Sequence, residues 1–437
     1  MNKRIISLLL AIVLTLGTLL SLSSCMAMIN AIMDSGESSG ENGTPNNNGN
    51  SNVGVSDKDP ASDTNAGNTK LPTPEFYPSA GGVGDSSENA SLTSRALLSV
   101  VSIFASFEIK YGYPSYSTET STSRGSGVIY KLDRESGNAY IITNYHVIYN
   151  SSASGDSKVS KSIKILLYGQ ENDSYAIPAT YIGGSLENDI AVLKITDNEV
   201  IKNSNALAAT IADSDTLAVF DKVYVVGSPE GYGISATDGI VSVDSEILPM
   251  TGADGRTTIR PRVIRVSAAI NDGNSGGGLF DAAGQLVGIV NAKRQGTSID
   301  NIGYAIPTNV AARLAENIIY FCDNTSSTSA KKAMLGVEIT AKVMGTAIDE
   351  NGRVIKVEIP EISEIFTGAA VTGLIEVGDR INSITVDGLT KQTTRTYQAL
   401  DMMYLARVGS IVTLNVTRAD EILEVTFTVT AAMFGTV

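Results

Sequence analysis

A serine set among glycines, between two apolar stretches, constrains this chain more than any other feature. It lies in Ala268-Ala269-Ile270-Asn271-Asp272-Gly273-Asn274-Ser275-Gly276-Gly277-Gly278-Leu279-Phe280. Glycine admits φ > 0 and lets the backbone approach a substrate closely. It also leaves backbone N–H groups free to face a developing oxyanion. A nucleophilic serine needs both. A Gly/Ser-rich surface turn would read the same way, so the run has to be weighed against the rest of the chain.

The chain has one histidine, His146, in Thr143-Asn144-Tyr145-His146-Val147-Ile148. The serine run also fits G-x-S-x-G, the nucleophile elbow of α/β-hydrolases, but that fold runs Ser, acid, His. No histidine follows Ser275, so that order is excluded. Between the two lies Asn188-Asp189-Ile190-Ala191-Val192-Leu193-Lys194, an acid leading into an apolar strand. The order His146, Asp189, Ser275 is that of the chymotrypsin double barrel. A subtilisin-like order would need an acid before the histidine. Asp133 sits there, but in a polar turn and without alternating βα units.

These three blocks resemble the catalytic blocks of the HtrA/Deg family of serine proteases. The similarity extends from about Leu92 to the C-terminus. Gly125-Ser126-Gly127-Val128-Ile129, Gly227-Ser228-Pro229-Glu230-Gly231, Gly239-Ile240-Val241-Ser242 and Gly303-Tyr304-Ala305-Ile306-Pro307 match as well. The resemblance implies Ser275 as nucleophile, His146 as base and Asp189 as its partner. It implies an oxyanion hole at Gly273, Asn274 and Ser275, built from the N–H groups of Gly273 and Ser275. It further implies polypeptide substrates, unfolded or with exposed C-termini, and a homotrimer. In this fold the residue six before the nucleophile lies at the base of the specificity pocket. Here that is Ala269, with Ile270 beside it. No acid is present to pair with Lys or Arg, so small or medium apolar P1 residues are expected. Three positions depart from the family pattern: Asp272 and Gly278 stand where Pro is usual, and Ser267 where Asp is frequent. Extra freedom around Ser275 suits a loop that switches between inactive and active states. The loop 244–261 resembles the sensor loop of the family.

The N-terminus reads as a targeting segment over 1–24. Lys3 and Arg4 precede an apolar run, Ile5 to Leu20, and Leu22-Ser23-Ser24-Cys25 resembles a bacterial lipobox with Cys25 as the lipid-bearing residue. An ordinary secretory signal or an uncleaved helix anchor is the alternative; the run is short for a spanning helix, which wants about 20 apolar residues. Each reading exports the protein, and lipid on Cys25 would hold it at the membrane. The segment 25–91 is rich in Asn, Ser, Gly, Asp and Pro. It has too little apolar surface to offset its ordering entropy, and is expected to be a disordered tether with a span of about 40 Å.

A trypsin-like protease domain is expected over 92–322; from about Leu92 through Val290 in it, short β-rich runs recur every ten or so residues, punctuated by Gly, Asp, Asn or Ser. That pattern predicts an all-β barrel or sandwich. The fold class expected is therefore mainly β, a chymotrypsin-like double β-barrel. Val310, Leu314, Ile318 and Phe321 recur at helical spacing after Pro307,, and their face is expected on the second barrel. A linker, 323–332, precedes a second domain, 333–437. Its glycine turns and alternating strands resemble a PDZ domain (α+β). There Leu335-Gly336-Val337 corresponds to the loop that holds a peptide carboxylate while the peptide adds as a strand.

The formal charge of −14 argues against nucleic acid and against electrostatic adhesion to anionic lipid,. There are two cysteines. With Cys25 acylated, Cys322 has no intramolecular partner and is expected to pack as a small apolar group. A lone histidine and scattered carboxylates assemble no metal site, and no cofactor is implied. The competing function class is a chaperone or stress-sensor binding protein in which proteolysis is secondary.

Overall fold

A computed structural model of the chain describes residues 77–78, 93–111, 117–291 and 302–437. The expected targeting segment, Cys25 and nearly all of the expected tether lie outside the described residues. Tyr77–Pro78, inside that tether, pairs in parallel with Ala212–Asp213. The expectation of a wholly unstructured 25–91 is corrected there, because this backbone finds ladder partners on the folded domain.

Two closed six-stranded barrels follow one another. The first comprises β1 (Val100–Tyr111), β2 (Ser117–Asp133), β3 (Asn138–Thr143), β4 (Ser162–Leu167), β5 (Ile177–Ser185) and β6 (Ile190–Ile195), in the order β1-β2-β3-β6-β5-β4. Side chains alternate across a strand. Val101, Ile103, Ala105 and Phe107 therefore point inward, with Ile129, Ile141, Ile165 and Leu193. The second comprises β7 (Lys222–Gly227), β8 (Ser235–Ile247), β9 (Arg262–Val266), β10 (Gly278–Asp281), β11 (Leu286–Val290) and β12 (Gly303–Pro307), in the order β8-β9-β12-β11-β10-β7. Val223, Val225, Val241, Ile264, Leu279, Val287 and Ala305 fill it.

The alternate faces are apolar too, and they join the barrels. Val128, Ile142 and Val192 of the first meet Val226, Phe280, Ile289 and Ile306 of the second, under helix α2 (Thr308–Cys322). Helix α2 packs on the second barrel as expected, and on the first as well. Ile318 and Cys322 fill the space over Gly183 of β5, where a Cβ would come within 2.9 Å and 2.8 Å of them. Tyr130 of β2 donates to Glu316 at 2.7 Å. Cys322 is buried in this joint and carries no disulfide among the described residues.

The C-terminal domain is a sheet of β13 (Val337–Ile348), β14 (Val354–Ile365), β15 (Arg380–Val386), β17 (Ile411–Arg418) and β18 (Glu421–Thr428), with β16 (Leu389–Gln392) paired on β15. Helix α3 (Gln398–Met402) packs on it, and Ile362, Ile384, Met402, Val412 and Leu414 form its core. Its contact with the second barrel is ionic and buried. Lys391 reaches Asp213 and Asp215, each at 3.0 Å. Arg262 of β9 lies between Asp215 (3.0 Å) and Asp401 (2.8 Å). Arg353 pairs with Asp221 at 2.8 Å, and Arg395 with Asp244. The segment 244–261 is thus not all loop: β8 continues through Ile247, and Asp244 touches the C-terminal domain.

Candidate active site

His146 sits on a one-turn helix, α1 (Tyr145–Ile148), where β3 ends. Asp189 is in the turn before β6 with φ 51°, a left-handed conformation uncommon outside glycine,. The turn is held because the Asp189 carbonyl accepts from Tyr145 N (3.2 Å) and from Asn144 Nδ2 (2.9 Å). This aims the carboxylate at the histidine. Asp189 Oδ2 lies 2.6 Å from His146 Nδ1, and Oδ1 accepts the His146 backbone N–H at 2.9 Å. Asp189 is 3% exposed. A carboxylate on Nδ1 leaves Nε2 as the nitrogen able to take a proton.

Ser275 lies in the tight turn between β9 and β10, at the joint of the barrels. Its carbonyl accepts from Ser126 N of β2 at 2.8 Å. Gly276 has φ 84°, and a Cβ there would stand 2.1 Å from Ser126 O and 2.3 Å from Thr143 Oγ1. Only glycine lets the turn approach the first barrel so closely. Gly125 brings the two halves together: a Cβ there would meet Val147, next to His146, at 2.6 Å and Ser275 O at 3.2 Å. Among the described residues, Ser275 Oγ and His146 Nε2 form no hydrogen bond with each other. Such bonds are often long in ligand-free sites.

The oxyanion expectation divides. Among the described residues, the N–H groups of Gly273 and Ser275 have no partner, while those between and beyond them are engaged. Asn274 N donates to Asn271 O (3.0 Å), Gly276 N to Val290 O (2.9 Å) and Gly277 N to Asn274 O (2.9 Å). The Asn274 N–H is therefore not free to bind an oxyanion. Ala269 is exposed, and its carbonyl accepts from Thr237 at 2.9 Å. Ile270 packs against Gly303 of β12. Leu335 is buried, Gly336 has φ 73° and accepts from Phe366 N at 2.9 Å, and Val337 opens β13 at the end of the sheet.

One participant went unread in the sequence. Asn291, just past β11, donates from Nδ2 to Asp189 Oδ2 at 3.0 Å. Val290, beside it, holds the Ser275 turn through Gly276 N. The only sequence signal was a polar residue ending the apolar run of β11.

The family "Trypsin-like peptidase domain" matches residues 125–289, a stretch that holds His146, Asp189 and Ser275. The HtrA serine protease of Lactococcus lactis subsp. cremoris is 39% identical over 43% of this chain and 43% of its own length. Through this domain the chain is similar to serine proteases of the HtrA/Deg family. The DegQ periplasmic endoprotease of Escherichia coli is 34% identical over 60% of the chain and 50% of its own length. A solved structure of the HtrA-type protease AlgW with a tripeptide covers 78% of the chain at 25% identity, with 96% of its own length covered and a TM-score of 0.48. The chain spans about two fifths of the length of the first curated HtrA relatives that it matches. Among the described residues no helix is long and apolar enough to cross a membrane.

Proposed function

We propose that this protein is an extracytoplasmic serine endopeptidase in which Ser275, His146 and Asp189 act as one unit. The observation that carries the reading is the double hold of Asp189 on His146, at Nδ1 and at the backbone N–H, beside a serine turn with two unengaged N–H groups. Ser275 Oγ attacks the peptide carbonyl and passes its proton to His146 Nε2. The carbonyl oxygen becomes an oxyanion facing the N–H groups of Gly273 and Ser275. The C–N bond then breaks, and the leaving amine takes the proton back from His146. Water repeats the sequence on the acyl-enzyme. Asp189 fixes the His146 tautomer and stabilises the imidazolium. Preorganised N–H dipoles need no reorganisation as charge develops, which is why they supply much of the rate.

The wider reading follows the family. Ala269 and Ile270 favour small apolar P1 residues. The C-terminal domain acts as a PDZ module: Leu335, Gly336 and Val337 hold a substrate C-terminus, and the peptide adds along β13. Lipid on Cys25 anchors the protein outside the cytoplasm, and three copies assemble. Misfolded or regulatory proteins are the substrates.

The test is fluorophosphonate labelling and casein hydrolysis by the purified protein, beside Ser275→Ala and His146→Ala. Wild-type labelling and turnover, both lost in each variant, are expected. In a related triad single removals cost about 10⁶-fold in kcat. Equal turnover by Ser275→Ala overturns the assignment. Client binding without wild-type labelling or cleavage favours the chaperone reading.

A further inference from the structure

We propose that Ser126 is a positioning residue that sets the oxyanion-binding turn, an inference that rests on the serine-endopeptidase reading above. Ser126 is fully buried on β2 of the first barrel, while the turn it serves belongs to the second. Every polar atom it has is engaged around that turn. Its N–H donates to Ser275 O at 2.8 Å. Its hydroxyl donates to Gly273 O at 2.7 Å and accepts from Ser228 N at 2.8 Å. Its carbonyl accepts from Thr143 Oγ1 at 2.7 Å.

The consequence lies in the peptide planes. The Ser275 N–H belongs to the plane between Asn274 and Ser275. The plane before it carries Gly273 O, and the plane after it carries Ser275 O. Ser126 holds both carbonyls, so it fixes the planes on either side of the Ser275 N–H. The Gly273 N–H belongs to the plane whose carbonyl is Asp272 O. In a trans peptide, N–H and C=O point in opposite directions. Glu230 N donates to Asp272 O at 2.9 Å, which directs the Gly273 N–H to the other side. Glu230 lies in the short turn that begins at Ser228, and Ser228 N is the group that the Ser126 hydroxyl accepts from. One hydroxyl therefore ties together the supports of both donors. Gly273 has φ 96°, in a region that glycine adopts readily but leaves readily as well,. Without the Ser126 hydroxyl, a buried carbonyl and a buried N–H lose their partner at this hinge.

The experiment compares full-length wild type, Ser126→Ala and Ser126→Cys. It reads kcat and KM on a peptide substrate, affinity for a peptide boronate whose tetrahedral adduct places an oxygen in the hole, and the thermal midpoint. Ser126→Ala is expected to lose about 10²-fold in kcat, the scale of removing one oxyanion donor. KM should stay within about twofold, and boronate affinity should fall in parallel with kcat. Ser126→Cys, which keeps a weak donor, should fall between the two and supplies the readout if Ser126→Ala fails to fold. Active wild type with unchanged kcat in the variants overturns the role of Ser126 and leaves the protease reading standing. An equal loss of boronate and ground-state peptide binding, with a lowered midpoint, also overturns it, since that is a structural serine. Wild type that neither labels nor cleaves overturns the protease reading, and this inference with it.

Discussion

Asn188 Nδ2 donates to the phenolic oxygen of Tyr404 at 3.1 Å, so the C-terminal domain touches the residue adjoining Asp189. Tyr404 is held there from other sides as well. Its carbonyl accepts from Asn317 of α2 at 3.0 Å, and the Lys332 ammonium lies 4.3 Å from its ring centre. Burial is the main reason its hydroxyl ionises only well above the ordinary tyrosine range. It therefore stays a neutral partner for Asn188. Tyr404→Phe removes this one hydrogen bond, worth about 0.5–1.5 kcal/mol. A fall of several-fold in kcat with little change in KM is expected on a short peptide. Kinetics identical to wild type would mean that this contact does not reach Asp189.

Asn291 holds the face of Asp189 Oδ2 that His146 leaves free. Hydrogen bonds to charged groups are worth about 1.5–3 kcal/mol. Asn291→Ala should therefore lower kcat by about 10- to 100-fold, leaving the thermal midpoint close to wild type. Steady-state kinetics beside calorimetry checks this. An unchanged kcat would remove Asn291 from the machinery.

The proposed pocket residues carry a substrate prediction. Ala269 and Ile270 offer no negative charge, and Ile270 lies against Gly303. Cleavage after Val, Ala, Ile or Leu is expected in a digest of a peptide library. A strong preference for Arg over Val would contradict it.

Asp215 is the buried centre of the ionic joint. Burial alone would push its carboxyl up, but Arg262 and Lys391 outweigh that and hold it well below the usual range. Asp215→Asn leaves Arg262 and Lys391 short of their shared partner. Breaking a buried pair from one side costs about 3–5 kcal/mol. The variant should unfold at lower denaturant and become susceptible to proteolysis between the second barrel and the C-terminal domain. A midpoint matching wild type would show that the joint does not depend on this charge.

Acid should weaken the C-terminal domain through Asp379. Burial raises its pKa, yet the two hydrogen bonds from Arg418, both 2.7 Å, and that from Glu376 N lower it further, for a net depression. A depressed folded pKa means that the pair contributes fully above the unfolded value, about 3.9. The contribution is lost as pH falls from there through the folded value. Thermal unfolding between about pH 5 and pH 2 should show this slope, and Asp379→Asn should flatten it. An equal slope in both proteins would assign the acid sensitivity elsewhere.

Strand periodicity was plain in the sequence. Ser162–Leu167, Ile190–Ile195 and Arg262–Val266 end in the fold where their apolar runs end. The position of α2 was not. Its apolar face is wide enough for either barrel, and the composition of a stripe does not name what covers it. Nor could spacing reveal Asn291 or Ser126 as supports of the site, because each contacts residues more than a hundred positions away.

The sequence by itself determined the order His146, Asp189, Ser275 and the glycines that let the serine turn form, since residue identity sets both nucleophilicity and accessible φ. Tertiary structure decided which N–H groups stay free, which carbonyls are held, and that the C-terminal domain reaches Asn188. Those are relations between peptide planes and side chains from separate strands. Hydrogen bonds depend on distance and direction in space, and packing alone brings such distant groups into register.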